Sequence, residues 1–190
     1  MDHLSEQEIS PETEKEIIFS VLRGERNEFQ KLVLAYQDTV VGMLFRQTGN
    51  HAVAHELAQD TFLRAYRSLE SFRGDASFKT WLIRIALNVS SSYFKSKRFK
   101  QQAATDSIEH TANQEQLASE AMDGYDKQTL KELQQLIASL KPIHRDVIAL
   151  CALELKSYEE AASILQIPVG TVRSRLNAAR NIIRKQYFEE

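Results

Sequence analysis

Apolar residues return at helical steps along most of this chain, and nowhere do they alternate with the two-residue rhythm of a strand. Phe29, Leu32, Val33, Tyr36, Val40 and Leu44 follow one another at steps of 3, 1, 3, 4 and 4, which is one face of an amphipathic helix ending near Gly49. An earlier helix is signalled by Ser10 as N-cap, Pro11 at the first helical position and Gly24 as a stop. Val53, Leu57, Phe62, Tyr66 and Leu69 predict a third helix. The loop Ser71–Ala76 breaks it, and Phe78, Trp81, Leu82, Ile85, Ala86, Val89 and Tyr93 predict a fourth. Six Gly and three Pro in 190 residues are too few for a turn-rich all-β fold. The expectation is an all-α protein whose first unit is a helical bundle over residues 10–98.

The periodicity then lapses. Residues 99–127 open with a polar stretch, and 101–128 hold six acids against the single base Lys127. A structureless span of that length is unusual inside one compact domain. It therefore predicts a flexible acidic linker and a second domain at 128–188. There, Leu130, Leu133, Leu136, Ile137 and Leu140 predict a helix that stops at Lys141-Pro142, and Val147, Ile148 and Cys151 continue on the next. Ser157 and Glu160 match a capping box. Gln166-Ile167-Pro168 ends the short helix that follows, because proline disfavours the helical state before it.

The last helix has two neighbouring faces. Val172, Leu176, Ala179 and Ile183 fall at steps of 4, 3 and 4, and so do Arg173, Asn177, Arg180 and Arg184. A helix, a tight turn and a second helix with an Arg-rich outer stripe is the helix-turn-helix layout. The major groove admits one α-helix, where Arg can read guanine and Asn adenine. No acid occurs from 161 to 188, whereas a merely solvated helix usually mixes signs.

Net charge is only −2, but it is unevenly placed: residues 73–100 carry seven bases and one acid. Such a patch attracts polyanions although the sum does not. Phe72, Phe78, Trp81, Tyr93, Phe94 and Phe99 are interleaved with those bases. Aromatic faces that stack unpaired bases beside cations that follow phosphates suit single-stranded DNA. Since Phe78, Trp81 and Tyr93 lie on the apolar stripe, the loop 72–77 and the rim of the stripe are the better candidates for base contact.

Other chemistries find little support. His51 and His55 stand four apart beside Glu56, but nothing indicates a third metal ligand. There is no Gly-rich phosphate loop and no nucleophile elbow. The one cysteine, Cys151, forms no internal disulfide and reads as a small packed residue. No run of roughly 18 apolar residues predicts a membrane span, and the start of the chain lacks the basic and apolar regions of a signal peptide. The expectation is a cytoplasmic protein without cofactor or metal and without enzymatic activity.

Four stretches together resemble bacterial sigma factors of the sigma-70 family. Residues 54–66 (AHELAQDTFLRAY) resemble their polymerase-binding helix, and 71–88 (SFRGDASFKTWLIRIALN) their promoter-melting segment. Residues 157–162 (SYEEAA) and 167–176 (IPVGTVRSRL) resemble their C-terminal helix-turn-helix. The small size, with two domains and only a linker between, resembles the extracytoplasmic-function group. The resemblance implies a region 2-type bundle and a region 4-type domain. It implies that Glu56, Leu57, Gln59, Asp60 and Phe62 dock on the largest subunit of core RNA polymerase. The loop Phe72, Arg73, Gly74, Asp75 and Ser77 would capture a base flipped from the minus-ten element. Lys79, Arg84, Asn88, Lys95, Lys97 and Arg98 would hold the opened strand and nearby duplex. Thr171, Arg173, Ser174, Arg175 and Asn177, with Arg180 near phosphate, would read the minus-thirty-five element. It further implies contact with the second-largest catalytic subunit, promoter DNA as ligand, no direct membrane insertion, and an anti-sigma factor that can hold the protein at the membrane until a stress or envelope signal releases it. Three positions depart from the pattern: Glu56 and Ser92 stand where Asp is common, and Ala178 stands where a basic residue is common. Two rival classes stay open from the residues alone. One is a helix-turn-helix regulator acting on duplex DNA without polymerase; the other is a metal-dependent enzyme using His51 and His55.

Overall fold

The computed structural model describes residues 9–105 and 127–188, which are helical with no strand among the described residues. Most of the acidic linker expected at 99–127 lies outside them, as do residues 1–8 and the side chain of Arg98. Eight α-helices follow in order: α1 (Pro11–Leu22), α2 (Phe29–Thr48), α3 (His51–Arg67), α4 (Phe78–Thr105), α5 (Lys127–Ser139), α6 (Pro142–Ile148), α7 (Tyr158–Leu165) and α8 (Val169–Phe188).

Helices α1–α4 form the first bundle. Ser10 caps α1 by accepting from the Thr13 amide at 3.2 Å, with Pro11 at the first position. Gly49, at φ +65°, ends α2 in the left-handed region that glycine enters without steric cost. Asn50 then caps α3, accepting from the Val53 amide at 3.0 Å. Ala54, Ala58 and Ala65 are buried on the inner face of α3, where small side chains let it lie close to α2. Leu32, Val40, Met43, Leu44, Leu82, Ala86 and Val89 fill the centre. Buried Gln47 accepts a hydrogen bond from the Ser90 hydroxyl at 2.9 Å, tying α2 to α4. Helix α4 does not stop near residue 98 but runs to Thr105. Gln101, Gln102, Ala103 and Ala104 are good helix formers and no Gly or Pro interrupts them, so polarity alone does not end the helix.

Helices α5–α8 form the second unit around Ile137, Val147, Ile148, Leu150, Ala161, Ile164, Val172, Leu176 and Ala179. Helix α6 passes into a single π turn, Ala149–Leu153, closed by the Glu154 amide on the Ala149 carbonyl at 2.9 Å. Apolar spacing carries no sign of that turn. Leu155 follows at φ +51°, 85% exposed, and the Lys156 amide returns to the Leu150 carbonyl at 2.9 Å.

The two units pack on each other. Arg46 of α2 makes a two-pronged ion pair with Glu154, both oxygens at 2.7 Å. The guanidinium of buried Arg145 sits 4.0 Å from the ring centre of Phe94 on α4. Gln134 of α5 lies against Gly49 so closely that a Cβ there would come within 2.1 Å of its side-chain oxygen.

Candidate nucleic-acid interface

Two side chains fix the start of α4, which follows the loop. Ser77 accepts from the Thr80 amide at 3.2 Å, and the Glu14 carboxylate of α1 accepts from the Phe78 amide at 3.3 Å. Two orphan amides of the first turn are thereby satisfied, one locally and one by a residue 64 positions earlier in the chain. Glu14 also accepts from the Tyr36 hydroxyl. Phe78 is fully buried, and on it lean Phe72, edge-on at 5.8 Å, and Trp81, tilted at 5.6 Å. Phe72 and Trp81 meet at 5.3 Å. The chain between turns at Gly74, φ +75°, in a conformation that a larger residue rarely adopts.

This arrangement leaves an open pocket of about 460 Å³. The loop Phe72–Ala76 forms one side, and Trp81, Arg84, Ile85 and Asn88 of α4 form the other. An aromatic and aliphatic wall beside a guanidinium and an amide can hold a flat unpaired base and a neighbouring phosphate. Arg73, Gly74, Asp75 and Asn88 are exposed at its mouth. Ser77 caps α4 rather than lining the pocket, and half-buried Lys79 stands outside its lining. Lys95 and Lys97 are exposed further along α4. Arg84 is already engaged: its Nε donates to the Ile164 carbonyl and its Nη2 to the Ser163 carbonyl, both at 2.6 Å. Trp81, Ile85 and Gln166 line the pocket although spacing gave them no such role; Trp81 and Ile85 were indistinguishable from core stripe residues.

The helix-turn-helix is α7 and α8. Ser157 and Glu160 form the full capping box, and the bonds from the Ser157 amide and hydroxyl hold the Glu160 carboxyl below its usual range. Gln166, at φ +54°, turns the chain, and the Ile167 amide returns to the Ala162 carbonyl at 3.1 Å. The Pro168 carbonyl then receives the Thr171 amide at 2.9 Å, which starts α8. Val172, Leu176 and Ala179 are buried, so the opposite face is fixed outward. Arg173, Ser174, Asn177 and Arg180 are exposed on it, while Thr171 and Arg175 are half-buried. Arg173 also rests 5.9 Å from the ring centre of Tyr158.

The residues expected to dock on polymerase divide into two sets. Leu57 and Phe62 are 7% and 8% exposed and pack in the bundle core, so little of either side chain is open on the surface of α3. Glu56 and Gln59 are exposed, and Asp60 is half-exposed and paired with Arg64 at 2.8 Å. Leu63, 46% exposed, joins that stripe at the next helical step. The signal available for it was an apolar residue on an otherwise polar face.

Among the described residues no group of three or more His, Cys, Asp or Glu could hold a metal ion. His51 instead stacks on Phe45 with ring centres 3.9 Å apart. Cys151 is half-buried, and that burial pushes its thiol up. No described helix is long and apolar enough to cross a membrane.

A helical bundle with a loop-walled aromatic pocket, joined to a helix-turn-helix, defines a two-domain DNA-binding protein. The sigma-70 region 2 family model matches residues 32–100, and the sigma-70 region 4 family model matches residues 130–183. The RNA polymerase sigma-H factor of Pseudomonas aeruginosa is 33% identical over 187 residues, covering 93% of this chain and 95% of that protein. The ECF RNA polymerase sigma-E factor of Escherichia coli K12 is 36% identical over 177 residues, covering 90% and 92%. Two solved structures share the fold. One is CnrH in complex with the cytosolic domain of CnrY, at TM-score 0.60 and 22% identity, covering 93% of this chain and 98% of that one. The other is the sigma factor RpoE of Bartonella quintana in complex with the anti-sigma factor NepR, at TM-score 0.58 and 23% identity, covering 83% and 95%. The chain belongs to the sigma-70 family of RNA polymerase sigma factors, in its extracytoplasmic-function group.

Proposed function

We propose that the pocket beside α4 takes an unpaired base of the minus-ten element while α8 reads the minus-thirty-five element. The carrying observation is the pocket itself, in which an aromatic wall, Arg84 and Asn88 converge at one end of a helix. Opening a duplex costs stacking energy, and capture of an extruded base offsets it. Lys95 and Lys97 extend the basic track along α4, with Arg98 on the same helix. Arg173, Ser174 and Asn177 face the groove, with Arg180 placed for a phosphate and Thr171 and Arg175 at the rim. The stripe of Glu56, Gln59, Asp60 and Leu63 docks on core polymerase.

The protein acts by positioning promoter and polymerase and performs no chemistry of its own. Its place of work is the cytoplasm, where both partners are. An anti-sigma factor holds it inactive, on the precedent of the Bartonella relative solved with one. Transcription by purified core polymerase on fragmented genomic DNA, with and without this protein, tests the reading. Discrete transcripts that need the protein are expected. Their absence, together with failure to co-sediment with core enzyme, overturns it.

A further inference from the structure

Arg173 is fixed at its backbone and unsettled at its head. Val172 and Leu176 are buried on the inner side of α8, which sets where the helix carries the Arg173 Cα. The guanidinium beyond it is exposed, at the end of a long side chain with much rotamer freedom to lose. Contact with a base must overcome that loss. A group that narrows the arginine beforehand therefore strengthens the contact without touching DNA.

Tyr158 stands where such a group is needed. It is the first residue of α7, directly after the Ser157 N-cap. The capping box pins its backbone: the Ser157 amide donates to the Glu160 carboxylate at 2.8 Å, and the Ser157 hydroxyl accepts from the Glu160 amide at 3.1 Å. The half-buried ring packs against the apolar core, so it too is held. Arg173 of α8 lies over this ring, its Cζ 5.9 Å from the ring centre. That is near the outer limit, about 6 Å, for attraction between a guanidinium and an aromatic face. At that distance the pull is enough to bias the arginine and too weak to keep it from a base.

We propose that Tyr158 is a positioning residue for the minus-thirty-five element, its ring face aligning the Arg173 guanidinium before α8 enters the groove. The inference rests on the reading of α8 as the recognition helix and of Arg173 as a base reader. Two consequences set it apart from a plain packing role. Tyr158 influences preference only at the base that Arg173 reads, and it acts through its ring and not its hydroxyl. Phenylalanine offers the same face, whereas leucine fills apolar space and offers none. A Tyr158 that served packing alone would change stability and binding to every sequence together.

Holoenzyme containing the full chain is bound to a promoter library randomised across the minus-thirty-five element. The native protein is compared with Arg173→Ala, Tyr158→Phe, Tyr158→Leu and the double variant Arg173→Ala/Tyr158→Leu. Arg173→Ala identifies the base position. Tyr158→Leu is expected to lower preference at that position roughly two- to fivefold, with other positions and the salt slope unchanged. Tyr158→Phe keeps the native preference. The double variant matches Arg173→Ala alone, because the ring has nothing left to align. Uniform weakening on all sequences by Tyr158→Leu overturns the proposal in favour of packing. Equal losses in Tyr158→Phe and Tyr158→Leu overturn it in favour of a hydroxyl contact with DNA, and additive losses in the double variant overturn it as well. A second measurement needs no folded leucine variant. In nuclear magnetic resonance spectra of the full chain, the ring should shift the Arg173 side-chain protons upfield in both the native protein and Tyr158→Phe; unshifted protons overturn the proposal. If Arg173→Ala changes no base preference, the reading of α8 through Arg173 fails and the positioning role falls with it.

Discussion

Glu14 and Phe78 lie 64 residues apart, and the carboxylate of one accepts the amide hydrogen of the other at 3.3 Å. Glu14 is buried and also accepts from the Tyr36 hydroxyl, so a single carboxylate joins α1, α2 and the first turn of α4. Phe78 in turn supports Phe72 and Trp81, which wall the pocket. Glu14→Ala removes the acceptor of the buried Phe78 amide and one partner of the Tyr36 hydroxyl, and is expected to cost about 1–3 kcal/mol. Glu14→Gln keeps one acceptor and costs less. Thermal denaturation measures both, and permanganate reactivity of promoter thymines should fall with Glu14→Ala at temperatures where the variant remains folded.

The two sets of residues on α3 separate by experiment. Leu63→Glu alters an exposed position and should shift stability by under about 0.5 kcal/mol while weakening binding to core polymerase by more than about tenfold. Leu57→Ala removes a core side chain and should cost about 2–5 kcal/mol of stability. Equilibrium denaturation and co-sedimentation with core enzyme, run on both variants, distinguish them. Unchanged polymerase binding by Leu63→Glu would remove Leu63 from the docking stripe.

On α8, Arg173 and Arg180 should fail differently. Loss of a base contact in Arg173→Ala costs about 1–3 kcal/mol on the preferred minus-thirty-five sequence and relaxes preference at one position. Loss of a phosphate contact in Arg180→Ala weakens binding to all sequences alike and lowers the salt slope by about one. Holoenzyme binding to a promoter library over a salt series reads both.

Leu155 holds φ +51° while 85% exposed, so its side chain gains little from burial and the backbone bears the cost of the left-handed region. Leu155→Gly relieves that cost and gives up some unfolded-state restriction. A net gain of about 0.5–1 kcal/mol is expected, seen as a rise of about 1–4 °C in Tm. A fall in Tm would mean that Leu155 makes a contact worth more than its strain.

Asp146 gives the fold a pH dependence. Burial pushes its carboxyl up to about 6, against the opposing pull of Arg145, the Ser91 hydroxyl of α4 and Arg175. Its neighbour His144 is pushed down by burial and by Lys141 and Arg175. The native state therefore keeps a proton on Asp146 that the unfolded chain releases near 3.8, and stability from this group falls as pH rises from there to about 6. Asp146→Asn should remove that slope and be more stable than the native chain at pH 8 by about 1–3 kcal/mol. Denaturant titrations across that range give the difference directly, and parallel curves for the two proteins would refute the assignment.

Much of this architecture was legible because its causes are local. The N-cap at Ser10, the stop at Gly49, the capping box of Ser157 and Glu160 and the two faces of α8 each follow from residues within a few positions. Contacts between distant elements were not legible. Glu14 looks like one more acid in an acidic start, and nothing in its neighbours marks it as the cap of a helix 64 residues on. Leu57 and Phe62 carry both a core period and a family resemblance to a docking helix, and period alone does not tell how deeply the packing buries them. Arg84 binds backbone carbonyls, which every residue supplies, so its partners left no trace in composition or spacing.

The π turn at Ala149–Leu153 admits an extra residue into one turn and so changes the angle at which everything after it leaves the helix. Glu154, the next residue, owes its bearing toward Arg46 to that surplus. The reach of the second unit to the first is thus indexed by chain length over five residues as well as by side-chain chemistry. Deleting any one of them would let an ordinary α-helix form and swing the carboxylate away, so a one-residue change in length would break this one tie between the units without altering a single charge.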